Sequence, residues 1–129
     1  MQIVHYPHPA LRFKSADVSR IDGQLRQIVA RMFELMHDVR GIGLAANQVG
    51  LPFRLFVTCV GKDRDTEGVE QVYINPTLRK PKGFITGEEG CLSLPDLYGD
   101  VERSAEITVE AFDLKGERFE HGLSGLAAR

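Results

Sequence analysis

Glu88-Glu89-Gly90-Cys91-Leu92-Ser93-Leu94-Pro95 is the stretch on which the reading of this chain turns. A cysteine follows two acidic residues and a glycine, and leads into a short apolar run closed by proline. A thiolate is a good ligand for zinc or ferrous iron, and a neighbouring glycine lets backbone amides approach the same space. Upstream lies Gly41-Ile42-Gly43-Leu44-Ala45-Ala46-Asn47-Gln48, where small side chains allow the backbone to come close to another element or to a ligand. Taken alone, that octet fits a tight turn packed under a helix equally well.

The composition narrows the class. With 129 residues, 43% hydrophobic and 26% charged, the chain reads as one soluble globular domain spanning residues 1–129. A net charge of −2 gives no footprint for nucleic acid or for an anionic membrane. No apolar run approaches the roughly 20 residues that cross a bilayer. The N-terminus has no basic region followed by an apolar core, so a cytoplasmic location is expected. Cys59 and Cys91, in unlike surroundings, do not make a disulfide framework.

Ile3-Val4 and the Pro7/Pro9 pair predict an extended lead-in, with one helical turn over Ala10 to Phe13. Ile21, Leu25, Ile28, Val29, Met32, Phe33 and Met36 recur at helical spacing after capping candidates at Ser19 to Asp22, which predicts one long amphipathic helix. His37 reads as a surface residue near its end, and Gly41 as its left-handed cap. Leu55 to Val60 reads as a buried strand with Cys59 as a small core residue. Gly61 to Gly68 reads as a charged loop, and Gln71 to Ile74 as a strand stopped at Asn75-Pro76, with a further extended piece at Thr77 to Arg79. Phe84 to Thr86 runs as strand into the cysteine motif, and Asp96 to Asp100 reads as a loop. Ile107 to Phe112 pairs with Glu117 to Glu120 across Asp113-Leu114-Lys115-Gly116. The tail from Gly122 to Arg129 reads as the start of a helix with Ser124 near its cap.

Hydrolysis of an amide at a metal needs ligands that leave one position open, a base for the attacking water, and donors for the developing oxyanion. Cys91 supplies one candidate ligand; the Leu92 backbone N–H and the Gln48 side-chain amide supply two candidate donors, each typically worth roughly 2.7–4 kcal/mol in a transition state. The histidines are His5, His8, His37 and His121, and no two are one helical turn apart in an H-E-x-x-H arrangement. A cysteine hydrolase with Cys91 as nucleophile and His121 as base finds no support in spacing.

Together, and in this order, the two stretches resemble the first two signature motifs of the peptide deformylases, G-x-G-x-A-A-x-Q and E-G-C-L-S. The resemblance extends over nearly the whole chain through His8-Pro9-Ala10-Leu11, the long helix, Ile74-Asn75-Pro76 and Phe112-Asp113. It implies an α+β fold, with short mixed or antiparallel sheets packed around a helix. It also implies metal-dependent removal of the formyl group from the N-terminal formyl-methionine of nascent polypeptides, with one Fe2+ or Zn2+ ion. Carried over by position, Cys91 matches the metal ligand, Gln48 and the Leu92 amide the oxyanion donors, and Ile42, Gly43, Leu44, Glu89 and Gly90 the residues that line the peptide site. Tyr98 is expected to border it.

The family's third motif, the H-E-x-x-H helix, is absent from this chain. Gly125-Leu126-Ala127-Ala128-Arg129 resembles the segment that leads into it. The expectation is a C-terminally incomplete deformylase domain that lacks two histidine ligands and the catalytic glutamate, binds metal weakly or not at all, and is inactive as it stands. The groove left by the missing helix would favour self-association. The alternative is a non-catalytic, deformylase-like protein for peptide binding or assembly.

Overall fold

Asp22 opens the helix that the apolar spacing predicts. Its Oδ1 accepts the Leu25 N–H at 3.0 Å, and α1 runs over Gly23–Asp38 in the computed structural model, which describes residues 1–61 and 67–129. Leu25, Val29, Met32 and Met36 form its buried face, with both methionines fully enclosed. His37 stays on the surface, where Nε2 lies 2.9 Å from a Glu70 carboxylate oxygen.

The helix ends one residue earlier in cap geometry than the glycine suggests. Arg40, not Gly41, takes the left-handed conformation, with φ 57°. The Gly41 N–H reaches back to the Met36 carbonyl at 2.9 Å and the Arg40 N–H to that of His37 at 3.1 Å, which satisfies two terminal carbonyls. Glycine is needed at 41 for space: a Cβ there would lie 2.8 Å from Cδ1 of Leu92. The leucine of the cysteine motif therefore rests on the end of α1.

Five strands form one antiparallel sheet in the order β1 (Gly43–Ala45), β2 (Leu55–Val60), β3 (Val69–Lys82), β6 (Glu106–Phe112) and β7 (Arg118–Ser124). Leu44, Leu55, Val57 and Ile74 meet the apolar stripe of α1 and make the main core. On the sheet, Tyr73, Val109 and Ala111 with Phe56, Phe119 and Leu123 form a second cluster. Between β3 and β6 the chain leaves this sheet for a separate antiparallel hairpin, β4 (Ile85–Cys91) and β5 (Leu94–Arg103). The predicted one-turn helix near Ala10 is a 3-10 turn over Pro9–Arg12, and the β6–β7 hairpin turns where the sequence places it.

Three expectations are corrected. Asn75-Pro76 does not stop a strand: β3 continues through it with a shift of register between Ile74 and Thr77, so the separate piece at Thr77 to Arg79 is part of the same strand. Asn75 adopts φ 52° there, accepts the Val18 N–H at 2.8 Å and donates to the Val18 carbonyl at 3.0 Å, so the bulge has its polar partners and proline is tolerated in it. Asp96 to Asp100 is not a loop but the middle of β5: Tyr98, Gly99 and Asp100 pair with Gly90, Glu89 and Glu88, and Asp96 and Leu97 fall in the register shift between Gly90 and Cys91, where Asp96 takes φ 62°. The tail continues β7 to Ser124 and then makes only a 3-10 turn over Gly125–Ala127, with no side-chain cap from Ser124. Cys59 is half-buried, with its thiol pushed up by burial and by Glu70 and Glu67. Of the predicted charged loop from Gly61 to Gly68, residues 62–66 lie outside the described residues.

Candidate functional site

The two motifs meet where the tip of the hairpin reaches the 3-10 turn that follows β1. After β1, Ala46–Val49 makes a 3-10 turn in which the Gln48 Oε1 accepts the Ala45 N–H at 2.9 Å. An N–H can be met only by the amide oxygen, so this bond fixes which way the side-chain amide faces. Its Nε2 is thereby aimed at the hairpin, 3.7 Å from Cys91 Sγ and 3.4 Å from Ser93 Oγ. The extended N-terminal lead-in ties both sides together, since the Val4 N–H donates to the Gln48 carbonyl and the Tyr6 N–H to the Ser93 carbonyl, each at 2.8 Å.

Cys91 is an exposed free thiol at the last position of β4, and Leu92 and Ser93 make the turn into β5. Leu92 packs its side chain into the main core, which pins the turn from below. Ser93, 2% exposed, is the buried polar residue of the motif. The sequence assigns it no role of its own, although a hydroxyl flanked by Leu92 and Leu94 is a signal of burial. A cavity of about 370 Å3 opens beside this junction, lined by Tyr6, Leu11, Asn47, Gln48, Cys91 and Leu94 among others.

The other expected lining residues fall on both sides of the junction. Gly43 and Leu44 lie in β1, paired with Thr58 and Val57, and the Ile42 carbonyl accepts the Cys59 N–H at 2.9 Å. The Leu44 side chain is buried in the core, so only its backbone is free to meet a ligand. Gly90 pairs with Tyr98 across the hairpin, and the Tyr98 side chain is exposed. The Glu89 carboxylate is engaged by Arg103, at 3.0 and 3.3 Å, and by Arg129 at 2.7 Å. The Arg103 hydrogen bond is the largest influence holding the Glu89 carboxyl below the ordinary glutamate range. The sequence marks neither arginine as a partner of Glu89, because 14 and 40 positions separate them from it.

His121 sits in β7 opposite Val109, with its ring 4.6 Å from that of Phe119. Among the described residues no three His, Cys, Asp or Glu side chains gather as a metal site. The donor set present, one thiolate, does not by itself fit a catalytic ion, which takes about three protein ligands and leaves a further position open.

A family model described as polypeptide deformylase matches residues 1–129. The chain is 44% identical over 129 residues to a peptide deformylase of Rhodopirellula baltica and 43% identical over 130 residues to peptide deformylase 1B, chloroplastic, of Solanum lycopersicum. It is covered completely in both alignments but spans only 64% and 46% of the length of those relatives. The fold superimposes on the crystal structure of inhibitor-bound Arabidopsis thaliana peptide deformylase 1B with a TM-score of 0.93 at 41% identity, covering all of this chain and 71% of that one. Against the Thermotoga maritima peptide deformylase the TM-score is 0.91 at 36% identity, with 99% and 84% covered. The chain belongs to the polypeptide deformylase family.

Proposed function

We propose that these residues form the oxyanion-stabilising and peptide-cradling side of an enzyme that removes the formyl group from N-terminal formyl-methionine. The observation that carries the reading is the Gln48 side chain, held by its oxygen on the Ala45 N–H so that Nε2 faces Cys91. A donor fixed before the substrate arrives needs no reorganisation when charge develops on the formyl oxygen, which is where such donors contribute most. The Leu92 N–H is the second donor. The backbone of Ile42, Gly43 and Leu44 on one side, and of Glu89 and Gly90 on the other, holds the peptide extended.

Cys91 is the thiolate ligand in this reading, for one ferrous or zinc ion. The further ligands and the general base are not among these residues, so the 129-residue chain alone retains metal weakly and turns over formyl-methionyl peptides negligibly. The cytoplasm is the proposed location; among the described residues no helix is long and apolar enough to cross a membrane.

The test compares hydrolysis of formyl-Met-Ala-Ser by the chain alone and by the chain fused after Arg129 to a family segment bearing H-E-x-x-H. The expected result is no turnover alone, turnover by the fusion, and a loss of about 100-fold or more in kcat when Gln48 is replaced by Ala in the fusion. Turnover by the chain alone overturns the division of labour. A fusion that folds and binds metal but leaves the formyl group in place overturns the deformylase reading and favours a peptide-binding role.

A further inference from the structure

The β4–β5 hairpin brings Cys91 to the site, yet most of its side chains are exposed or only partly covered. Something other than apolar burial has to hold it. Arg129, past the end of β7, turns its guanidinium back into the hairpin and is only 10% exposed in its side chain. Nη1 donates to the Ile85 carbonyl at 3.0 Å. Nη2 lies within donating distance of the Gly87 carbonyl at 3.1 Å, the Val101 carbonyl at 3.2 Å and the Glu89 carboxylate at 2.7 Å. Ile85 and Gly87 belong to β4 and Val101 to β5, so one planar cation bridges both strands. Glu89, two residues before Cys91, supplies the matching charge. Gly87 makes room for the group, since a Cβ there would lie 3.2 Å from the Arg129 Cζ. The backbone leading to Arg129 follows directly from the end of β7: the Gly125 N–H donates to the carbonyl of Ala105, the residue before β6, and the Arg129 N–H to the Gly125 carbonyl.

We propose that Arg129 is a positioning residue: its guanidinium fastens both strands of the hairpin to the end of the five-stranded sheet and so holds Cys91 Sγ against Gln48 Nε2. The bonds are charge-assisted and their geometry is a fork. Lysine, a point charge with no planar donor set, reaches Glu89 without bridging the three carbonyls. This deepens the functional reading above and rests on it only for why Cys91 must be placed; the test needs no turnover.

Amide hydrogen exchange is measured on the 129-residue chain as wild type, Arg129→Met and Arg129→Lys, and on Arg129→Ala with and without added guanidinium. The second readout is the NMR position of the Gln48 side-chain amide, compared with that in Cys91→Ala. In Arg129→Met, exchange over residues 85–103 is expected to quicken by roughly tenfold or more while β2, β3 and β6 stay within about twofold. The Gln48 amide signal moves toward its Cys91→Ala position, Arg129→Lys recovers part of the protection, and guanidinium recovers part of it in Arg129→Ala. Unchanged hairpin exchange overturns the proposal, and so does acceleration of the large sheet by as much as the hairpin. A loosened hairpin with an unmoved Gln48 signal overturns it as well. Should Arg129→Met fail to fold, wild-type exchange throughout the hairpin of Arg129→Lys overturns it. A fusion protein that binds metal but spares formyl peptides removes the deformylase reading and leaves this result standing.

Discussion

The helix-backed sheet and the β4–β5 hairpin are built on opposite principles. In the first, α1 lays Leu25, Val29, Met32 and Met36 against Leu44, Leu55, Val57 and Ile74, so the structure is held by apolar surface removed from water. In the second, exposed positions dominate both strands, and the ties to the rest are few: Leu92 in the core, the Tyr6 N–H on the Ser93 carbonyl, the Gln48 amide, and the Arg129 fork. The difference explains where the site lies. Gln48 stands on the rigid body and Cys91 on the tethered hairpin, so the site is a joint whose alignment is set by a handful of polar contacts. Elements with little buried apolar area open locally at lower free energy than the core does.

The largest effect expected from separating the two regions is Met32→Ala. It removes a fully buried side chain and is expected to lower global stability by about 2–5 kcal/mol, read as a shift in the urea midpoint with sheet and helix signals moving together. A loss confined to the hairpin would break the contrast. A smaller effect follows from pH. Because the folded Glu89 carboxyl titrates below its ordinary value, principally through the Arg103 hydrogen bond, its ion pairs stabilise the fold at neutral pH. That contribution begins to fade as pH falls past the unfolded glutamate value, about 4.3, and is gone below the lower folded one. Urea unfolding of wild type and Glu89→Gln checks this: the gap between them is expected to narrow from pH 7 toward pH 3, and a gap that widens contradicts the assignment.

The same contrast decides what was legible. The helix is plain in the sequence because burial on one side imprints a period, and β2 because Leu55 to Val60 form a short apolar run. Residues Asp96 to Asp100 read as a loop because β5 buries almost nothing, so pairing with β4 leaves no alternation to see. Asn75-Pro76 read as a strand end because the side chain that satisfies the bulge bonds to Val18, 57 positions away. In the site, the nearness of Gln48 to Cys91 was legible only through two motifs taken together, since nothing in either stretch encodes the distance between them. The Arg129 tether was not legible, because an arginine among small residues carries no local mark of a carboxylate 40 positions upstream.

In the proposed function, Gln48 and the Leu92 amide are the donor side of a metal hydrolase site, and Cys91 is the single ligand that these residues give it. Metal content settles that point: zinc or ferrous iron retained per 129-residue chain after passage over a weak chelator. Retention well below one equivalent is expected, with the residual binding lost in Cys91→Ser. One tightly held ion per chain would contradict it and would mean that these residues complete a metal site on their own.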